Sequence, residues 1–183
     1  NEEQSLSKLA DKVKEALSES FQFELIFVDD GSTDNSWQEI EKLSHTYNWI
    51  HGIRFLRNYG KSTALQAGFE RCRGTFVATM DADLQDDPFE IPEMISMIKE
   101  EGYHLVSGWK KERHDPLSKT IPSRFFNKVT SWVTGIDLND FNCGIKAYRR
   151  EVIESIHLYG ELHRYIPLLA KWEGYDKIGE KVV

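Results

Sequence analysis

The strongest chemical suggestion in this chain is a short acidic run at the end of an apolar one. Residues 75–80 read as a strand, and Asp81-Ala82-Asp83-Leu84-Gln85 follows at once. Side chains two apart on an extended backbone point the same way. Asp81 and Asp83 can therefore aim two carboxylates at one point, with the Gln85 side-chain oxygen in the same register. Hard oxygen donors that include one or two carboxylates are how Mg2+ or Mn2+ is held against a substrate diphosphate. The competing reading is an Asx-turn with solvated acids, because turns favour Asp. Asp86 reads as solvated, and Asp87 as the cap of the helix that Pro88 opens.

Two further acidic turns sit near apolar runs. In Asp29-Asp30-Gly31-Ser32 the two carboxylates point to opposite faces, so one can meet a ligand while the other holds the glycine turn. Asp140-Phe141-Asn142-Cys143-Gly144 precedes a short apolar run. Lys61 follows Gly60 in the first turn of a helix, where free backbone N–H groups favour anions. The Arg57–Thr63 stretch is not a phosphate-binding P-loop, because the glycine required five residues before Gly60 is Phe55. Lys110, Lys111, Arg113, Lys119 and Arg124 form the one dense basic stretch, either a solvated loop or a clamp that closes on phosphates. His157 and His163 lack a metal-binding spacing. No G-x-S-x-G or G-x-G-x-x-G motif is present.

The elements that must carry these turns alternate. Residues 23–28, 50–56, 75–80 and 103–107 read as strands. Residues 33–47, 62–72 and 88–101 read as helices between them, and a helix over 5–20 comes first. This alternation implies parallel strands, right-handed crossovers and helices on both faces of a sheet. Beyond Trp109 the rhythm loosens: residues 110–123 read as a loop and 125–133 as a helix. A strand over 144–148, helices over 149–157 and 165–172, and an edge strand over 177–183 follow.

The chain has 183 residues, 40% hydrophobic and 29% charged, a globular composition sufficient for one core-bearing domain. Thirty acidic against 23 basic residues give a net charge of −7, which excludes a general nucleic-acid binder. Cys72 and Cys143 cannot form a disulfide framework and suit a reducing compartment. No apolar run approaches the length of a membrane span.

In order and spacing these turns resemble the family-2 glycosyltransferases. The residues that carry the resemblance are Asn1-Glu2-Glu3; Val28-Asp29-Asp30-Gly31-Ser32 with Asp34; Arg57-Asn58 with Gly60-Lys61; Asp81-Ala82-Asp83-Leu84-Gln85 with Pro88; Asp140, Asn142-Cys143-Gly144 and Lys146; and His163-Arg164-Tyr165. The Asp81–Gln85 form is most similar to the subgroup of dolichyl-phosphate mannose synthase and the bacterial polyprenyl-phosphate glycosyltransferases. The resemblance implies a GT-A fold, α/β with a mixed, mostly parallel sheet, lacking the first strand that in the family ends in a Pro-x-x-Asn-Glu pattern. It implies one catalytic domain over 1–183, with 1–110 on the nucleotide-sugar side and 111–183 on the acceptor side.

The resemblance also implies a metal-dependent, inverting hexosyltransferase. Asp29, Asp30, Lys61, Ala82, Lys110, Arg113 and Arg124 would hold a nucleotide-diphosphate-sugar. Asp81, Asp83 and Gln85 would hold Mg2+ or Mn2+ on its diphosphate, and Asp140 would act near the acceptor. The acceptor would be a polyprenyl phosphate or a glycan hydroxyl, and the setting the cytoplasm or the cytoplasmic face of a membrane, with a homo-oligomer an option. The alternatives are a catalytically silent module of the same fold that binds nucleotide-sugars or a partner protein, and a nucleotidyltransferase. The missing glycine-rich start motif argues against the last. The QxxRW motif of processive synthases is absent.

Overall fold

The computed structural model describes residues 1–111, 130–132 and 134–183. Short β-branched and aromatic runs form strands and the amphipathic stretches form helices, in the order the alternation requires. Helix α1 (Leu6–Leu17) leads into β1 (Leu25–Asp29), α2 (Ser36–Thr46), β2 (Ile50–Arg54), α3 (Lys61–Arg71) and β3 (Phe76–Thr79). Helix α4 (Ile91–Glu100), β4 (Leu105–Trp109), β5 (Lys146–Arg149), α5 (Arg150–Ser155), α6 (Ile166–Trp172) and β6 (Ile178–Val182) follow.

The helix expected over 88–101 divides at its start into a 3-10 turn, Pro88–Glu90, and α4. Pro92 has no N–H to donate to the Pro88 carbonyl. The Ile91 N–H takes that carbonyl instead, one residue early. Asp87 caps this turn as expected, accepting the Phe89 N–H at 3.2 Å.

The sheet is mixed. Strands β1 and β2 pair in parallel, with Leu25 opposite Ile50 and Asp29 opposite Arg54. The other four strands lie in the order β3-β5-β4-β6. Strand β5 runs antiparallel to both its neighbours, whereas β6 at the edge is parallel to β4. Side-chain alternation along the strands sorts two apolar cores. Phe27, Val106 and Ala147 face a core built with Leu9, Val13, Ile40, Met94 and Ile98 of α1, α2 and α4. Their neighbours Leu105 and Tyr148 face the opposite core, with Phe69, Val152, Ile166 and Ala170 of α3, α5 and α6. Helices thus cover both faces.

Between β1 and β3 no pairing exists among the described residues. A cavity of about 1090 Å³ separates the two strands, floored by Leu65 and Phe69 and roofed by Leu9 and Val13. The cavity is a slot between two strand edges that do not pair with each other among the described residues. Asn1 and Glu2 stand at its mouth. The Asn1 side-chain oxygen accepts the Thr33 N–H at 2.8 Å, and the Glu2 N–H donates to Ser36 Oγ at 2.8 Å.

Candidate active site

The turns that close β1 and β2 are joined to one another. Asp29, 4% exposed, accepts the Ser32 N–H on Oδ1 at 2.9 Å and so holds the Gly31 turn. Its other oxygen, Oδ2, is buried without a hydrogen bond among the described residues, 4.0 Å from Arg54 Nε. Asp30 grips the neighbouring loop with both oxygens, accepting the Tyr59 N–H at 2.7 Å and the Gly60 N–H at 2.9 Å. Gly31 has φ +74, and a Cβ there would lie 2.5 Å from the Arg57 carbonyl carbon, so no other residue fits between the loops. Asp29 thus holds its own turn, and Asp30 holds the loop that introduces Lys61.

That loop delivers Lys61 as the first residue of α3. Its Nζ lies 2.6 Å from Asp81 Oδ1 and bridges the β1–β2 side of the slot to the β3 side. The next residue, Ser62, is 1% exposed. Its Oγ accepts the His163 N–H at 3.0 Å and lies 3.0 Å from His163 Nδ1, which locks the start of α3 to the segment before α6. With the backbone N–H already donating to Oγ, the hydroxyl proton is free to go to Nδ1, which leaves the ring proton on Nε2. Burial lowers the His163 pKa, favouring that neutral form.

The 81–85 run differs from the extended register that alternation suggests. Leu84 adopts a left-handed conformation, φ 64, rare for a residue with a branched side chain. The Gln85 N–H folds back onto Asp83 Oδ1 at 3.0 Å. The run is an Asx-turn, so the two readings weighed for this motif coexist: a turn that also presents acids. Asp83 and Gln85 are exposed, and Asp81 and Ala82 half-buried. The chain reversal at Leu84 takes the Gln85 side chain out of the strand alternation that would have aligned it with Asp81 and Asp83.

Asp86 corrects the expectation of a solvated acid. It is 3% exposed, accepts the Asp81 N–H on Oδ2 at 3.1 Å, and holds Lys110 Nζ 2.7 Å from Oδ1. Burial opposes the Lys110 charge, but the Asp86 carboxylate more than offsets it and raises the pKa. Gly144 packs against this arrangement. A Cβ there would stand 2.7 Å from Asp86 Oδ2 and 2.8 Å from Asp81 Oδ2. Asp86 is thus the support of the acidic turn, and its only sequence signal was its place between that turn and the helix cap.

The floor comes from the third acidic turn. Asp140, 1% exposed, accepts the Asn142 N–H on Oδ1 at 3.1 Å, and its own N–H donates to Glu180 Oε1 at 3.0 Å. Lys146, 4% exposed on β5, donates to the Cys143 carbonyl. Burial lowers the Lys146 pKa, with the Cys143 and Asp140 charges acting against that. Burial likewise pushes the Cys143 thiol up to about 11. A lysine inside the apolar 144–148 run was the visible signal for this buried ammonium. Arg113, Lys119 and Arg124, and the loop expected over 110–123 beyond Lys111, lie outside the described residues.

Among the described residues no three His, Cys, Asp or Glu side chains converge as a ready metal cage. Asp81 and Asp83 do offer hard carboxylate oxygens two residues apart on one turn, with Asp81 Oδ2 against the bare Cα of Gly144. That donor set fits Mg2+ or Mn2+ of the kind that takes one or two carboxylates and completes its shell with water and substrate phosphate.

A family model described as glycosyl transferase family 2 matches residues 1–156. The dodecaprenyl-phosphate galacturonate synthase of Rhizobium johnstonii is 40% identical over 187 aligned positions, covering 100% of this chain and 55% of that protein. The undecaprenyl-phosphate 4-deoxy-4-formamido-L-arabinose transferase of Shewanella sediminis is 40% identical over 172, covering 93% of this chain and 52% of that protein. The chain spans about half the length of these curated relatives. Among solved structures, glucosyl-3-phosphoglycerate synthase from Mycobacterium tuberculosis, in complex with Mn2+ and uridine-diphosphate-glucose, matches with a TM-score of 0.75 at 21% identity. The match covers 100% of this chain and 65% of that one. At that identity the likeness is one of fold.

Proposed function

The chain belongs to glycosyl transferase family 2, and from that premise we propose that it takes part in inverting transfer of a sugar from a nucleotide-diphosphate-sugar to a polyprenyl phosphate. The observation that carries this reading is the meeting of two acidic turns at one end of the strands, joined by the Lys61–Asp81 contact of 2.6 Å. Ligands of α/β sheets bind beyond the carboxyl ends of the strands, and these turns stand there. The polyprenyl-phosphate relatives at 40% identity support the acceptor class.

Each residue has a task in this reading. The Asp29–Ser32 turn and the 57–60 loop form the nucleotide wall. Lys61 and Lys110 would place ammonium charge beside the diphosphate, and Arg113 and Arg124 are further candidates from the basic stretch of the sequence. Asp81 and Asp83, with Gln85, would hold the divalent ion. When bound, that ion stabilises negative charge on the departing nucleoside diphosphate. The acceptor attacks the anomeric carbon from the face opposite the leaving group, which inverts that centre.

Asp140 then acts by position. A phosphate monoester with a second pKa of about 6 is already largely anionic at pH 7, so no strong base is needed. Asp140 is 1% exposed, and its carboxylate is engaged by the Asn142 N–H. It supports the 140–144 turn and the field around Lys146. No helix among the described residues is long and apolar enough to cross a membrane. A lipid-linked acceptor would be met at a membrane surface, on its cytoplasmic face.

The test is a transfer assay on the longest native polypeptide that carries this chain. UDP-, GDP- and dTDP-sugars are offered with Mn2+ and undecaprenyl phosphate in detergent micelles. The expected result is a lipid-linked sugar phosphate and free nucleoside diphosphate, both lost with EDTA. Metal-dependent nucleotide binding without transfer or donor hydrolysis would instead assign a silent binding module.

A further inference from the structure

Asp81, the best-placed metal ligand, is already occupied. One of its oxygens meets Lys61 Nζ at 2.6 Å, and the other lies against Gly144, where even a Cβ would come within 2.8 Å. Its backbone N–H is held by buried Asp86. The Asp81 side chain, 44% exposed, thus has the lysine on one side and the Gly144 backbone on the other. Lys61 is held equally firmly at its base: Asp30 binds the Gly60 N–H, and His163 binds Ser62. Its ammonium, by contrast, rides on a flexible stem with the side chain 41% exposed.

We propose that Lys61 is an internal counter-cation. In the donor-free protein its ammonium stands in for the divalent ion at Asp81, and it must leave Asp81 for the diphosphate before the metal can bind there. This rests on the preceding reading that the site takes a nucleotide-diphosphate-sugar. The charges decide the direction of the exchange. Without donor, a divalent ion and an ammonium would crowd one carboxylate oxygen, and like charges repel. With donor, the added diphosphate supplies new oxygens for the ammonium, and the metal takes its place on Asp81. Metal and nucleotide then each tighten the other by the same factor, as linkage requires. The metal arrives with its substrate, which agrees with the lack of a preformed cage among the described residues.

The experiment measures Mn2+ alone by the electron paramagnetic resonance of the free ion, with no nucleotide present. Wild type is compared with Lys61→Met and Lys61→Arg, and then all three with UDP or GDP added. Lys61→Met should bind Mn2+ about three- to tenfold more tightly than wild type, the scale of losing an exposed ion pair and its charge. Lys61→Arg keeps the cation and should stay near wild type. Added nucleoside diphosphate should tighten Mn2+ binding more in wild type than in Lys61→Met. In an Asp81→Asn background the difference between Lys61 and Met should vanish; if it persists, the competition is not at Asp81 and the proposal falls. It also falls if Lys61→Met binds Mn2+ no better than wild type while Mn2+-dependent nucleotide binding is intact, an outcome that leaves the donor-site reading standing. Tighter Mn2+ binding by Lys61→Met with no nucleotide bound by any variant would keep the counter-cation and overturn the donor reading.

Discussion

Two acidic turns look alike in sequence and behave differently in the fold. Asp29 and Asp30 spend three of their four oxygens on backbone N–H groups, those of Ser32, Tyr59 and Gly60. Asp81 and Asp83 spend theirs on a lysine ammonium and on one N–H of their own turn. A backbone donor cannot leave without unfolding a loop, whereas a lysine on a flexible stem can. The first pair thus anchors the loops of the nucleotide wall, whereas the second, on the proposal above, is exchangeable. Exchangeable oxygens are what a site needs if it is to pass between a resting and a liganded state.

The comparison can be broken most severely at Gly144, whose contacts reach both Asp81 and Asp86. Gly144→Ala should cost about 2–3 kcal/mol, because the opposing Asp86 Oδ2 is buried and tied to the Asp81 N–H and cannot easily yield. Thermal melting would show this, and Mn2+ binding should weaken with it. A variant as stable as wild type would mean that the Asp81 turn gives way easily. Next in size, Asp30→Ala removes the acceptor of two N–H bonds and should cost about 2 kcal/mol after discounting for partial exposure. Urea unfolding at constant slope would measure it. A loss confined to nucleotide affinity would instead place Asp30 with the exchangeable pair.

The floor beneath the two turns supplies a pH test. Burial pushes the Cys143 thiol from 9.0 to about 11. Below pH 9 the thiol is protonated folded or unfolded, and its contribution is whole. Between pH 9 and about 11 the unfolded chain ionises first and that contribution is lost. Lys146 acts in the opposite sense: burial lowers its pKa, so the folded state sheds its proton first and gains stability as pH rises toward 10.5. Cys143→Ala should therefore lose less stability than wild type across pH 9 to 10.5, by on the order of 1–2 kcal/mol. Parallel curves for the two proteins would mean that water reaches the thiol.

The smallest effect on stability belongs to the exchangeable pair itself. Asp83→Asn on its exposed turn should change unfolding by less than about 0.5 kcal/mol. It should nevertheless weaken Mn2+-supported nucleotide binding by roughly tenfold through the lost charge, as read by titration calorimetry. Equal nucleotide affinity with and without metal would remove Asp83 from the metal's shell.

Much of this arrangement was legible in the residues. The spacing of Leu6, Leu9, Val13 and Leu17 specifies the buried face of α1. The β-rich runs end where the acidic turns begin, because Asp and Gly cannot continue a packed strand but can reverse the chain. Asp87 and Pro88 announced a helical start. Less legible was anything that depends on which strand lies beside which. Strand β5 enters between β3 and β4 in the antiparallel sense, and this brings Gly144 against Asp81 and Asp86. No local preference marks Asp86 as buried. Its burial follows from Asp81, Lys110 and Gly144 arriving from three separate segments. The left-handed Leu84 is equally silent in sequence, since Leu has no preference for that conformation.

By itself the sequence determined the alternation of strands and helices, the faces they bury and the acidic turns that cap them. These depend on residues a few positions apart, whose interactions repeat at the fixed periods of helix and strand. Only the tertiary structure decided which carboxylates are spent and which are free to exchange. That choice depends on donors far away in the chain: Tyr59 and Gly60 for Asp30, Lys61 for Asp81, and Lys110 for Asp86. A carboxylate's role is set by whether its partner is a backbone amide fixed by the fold or a charged side chain that can move, and for Asp30, Asp81 and Asp86 that partner lies at least 20 residues away in the chain.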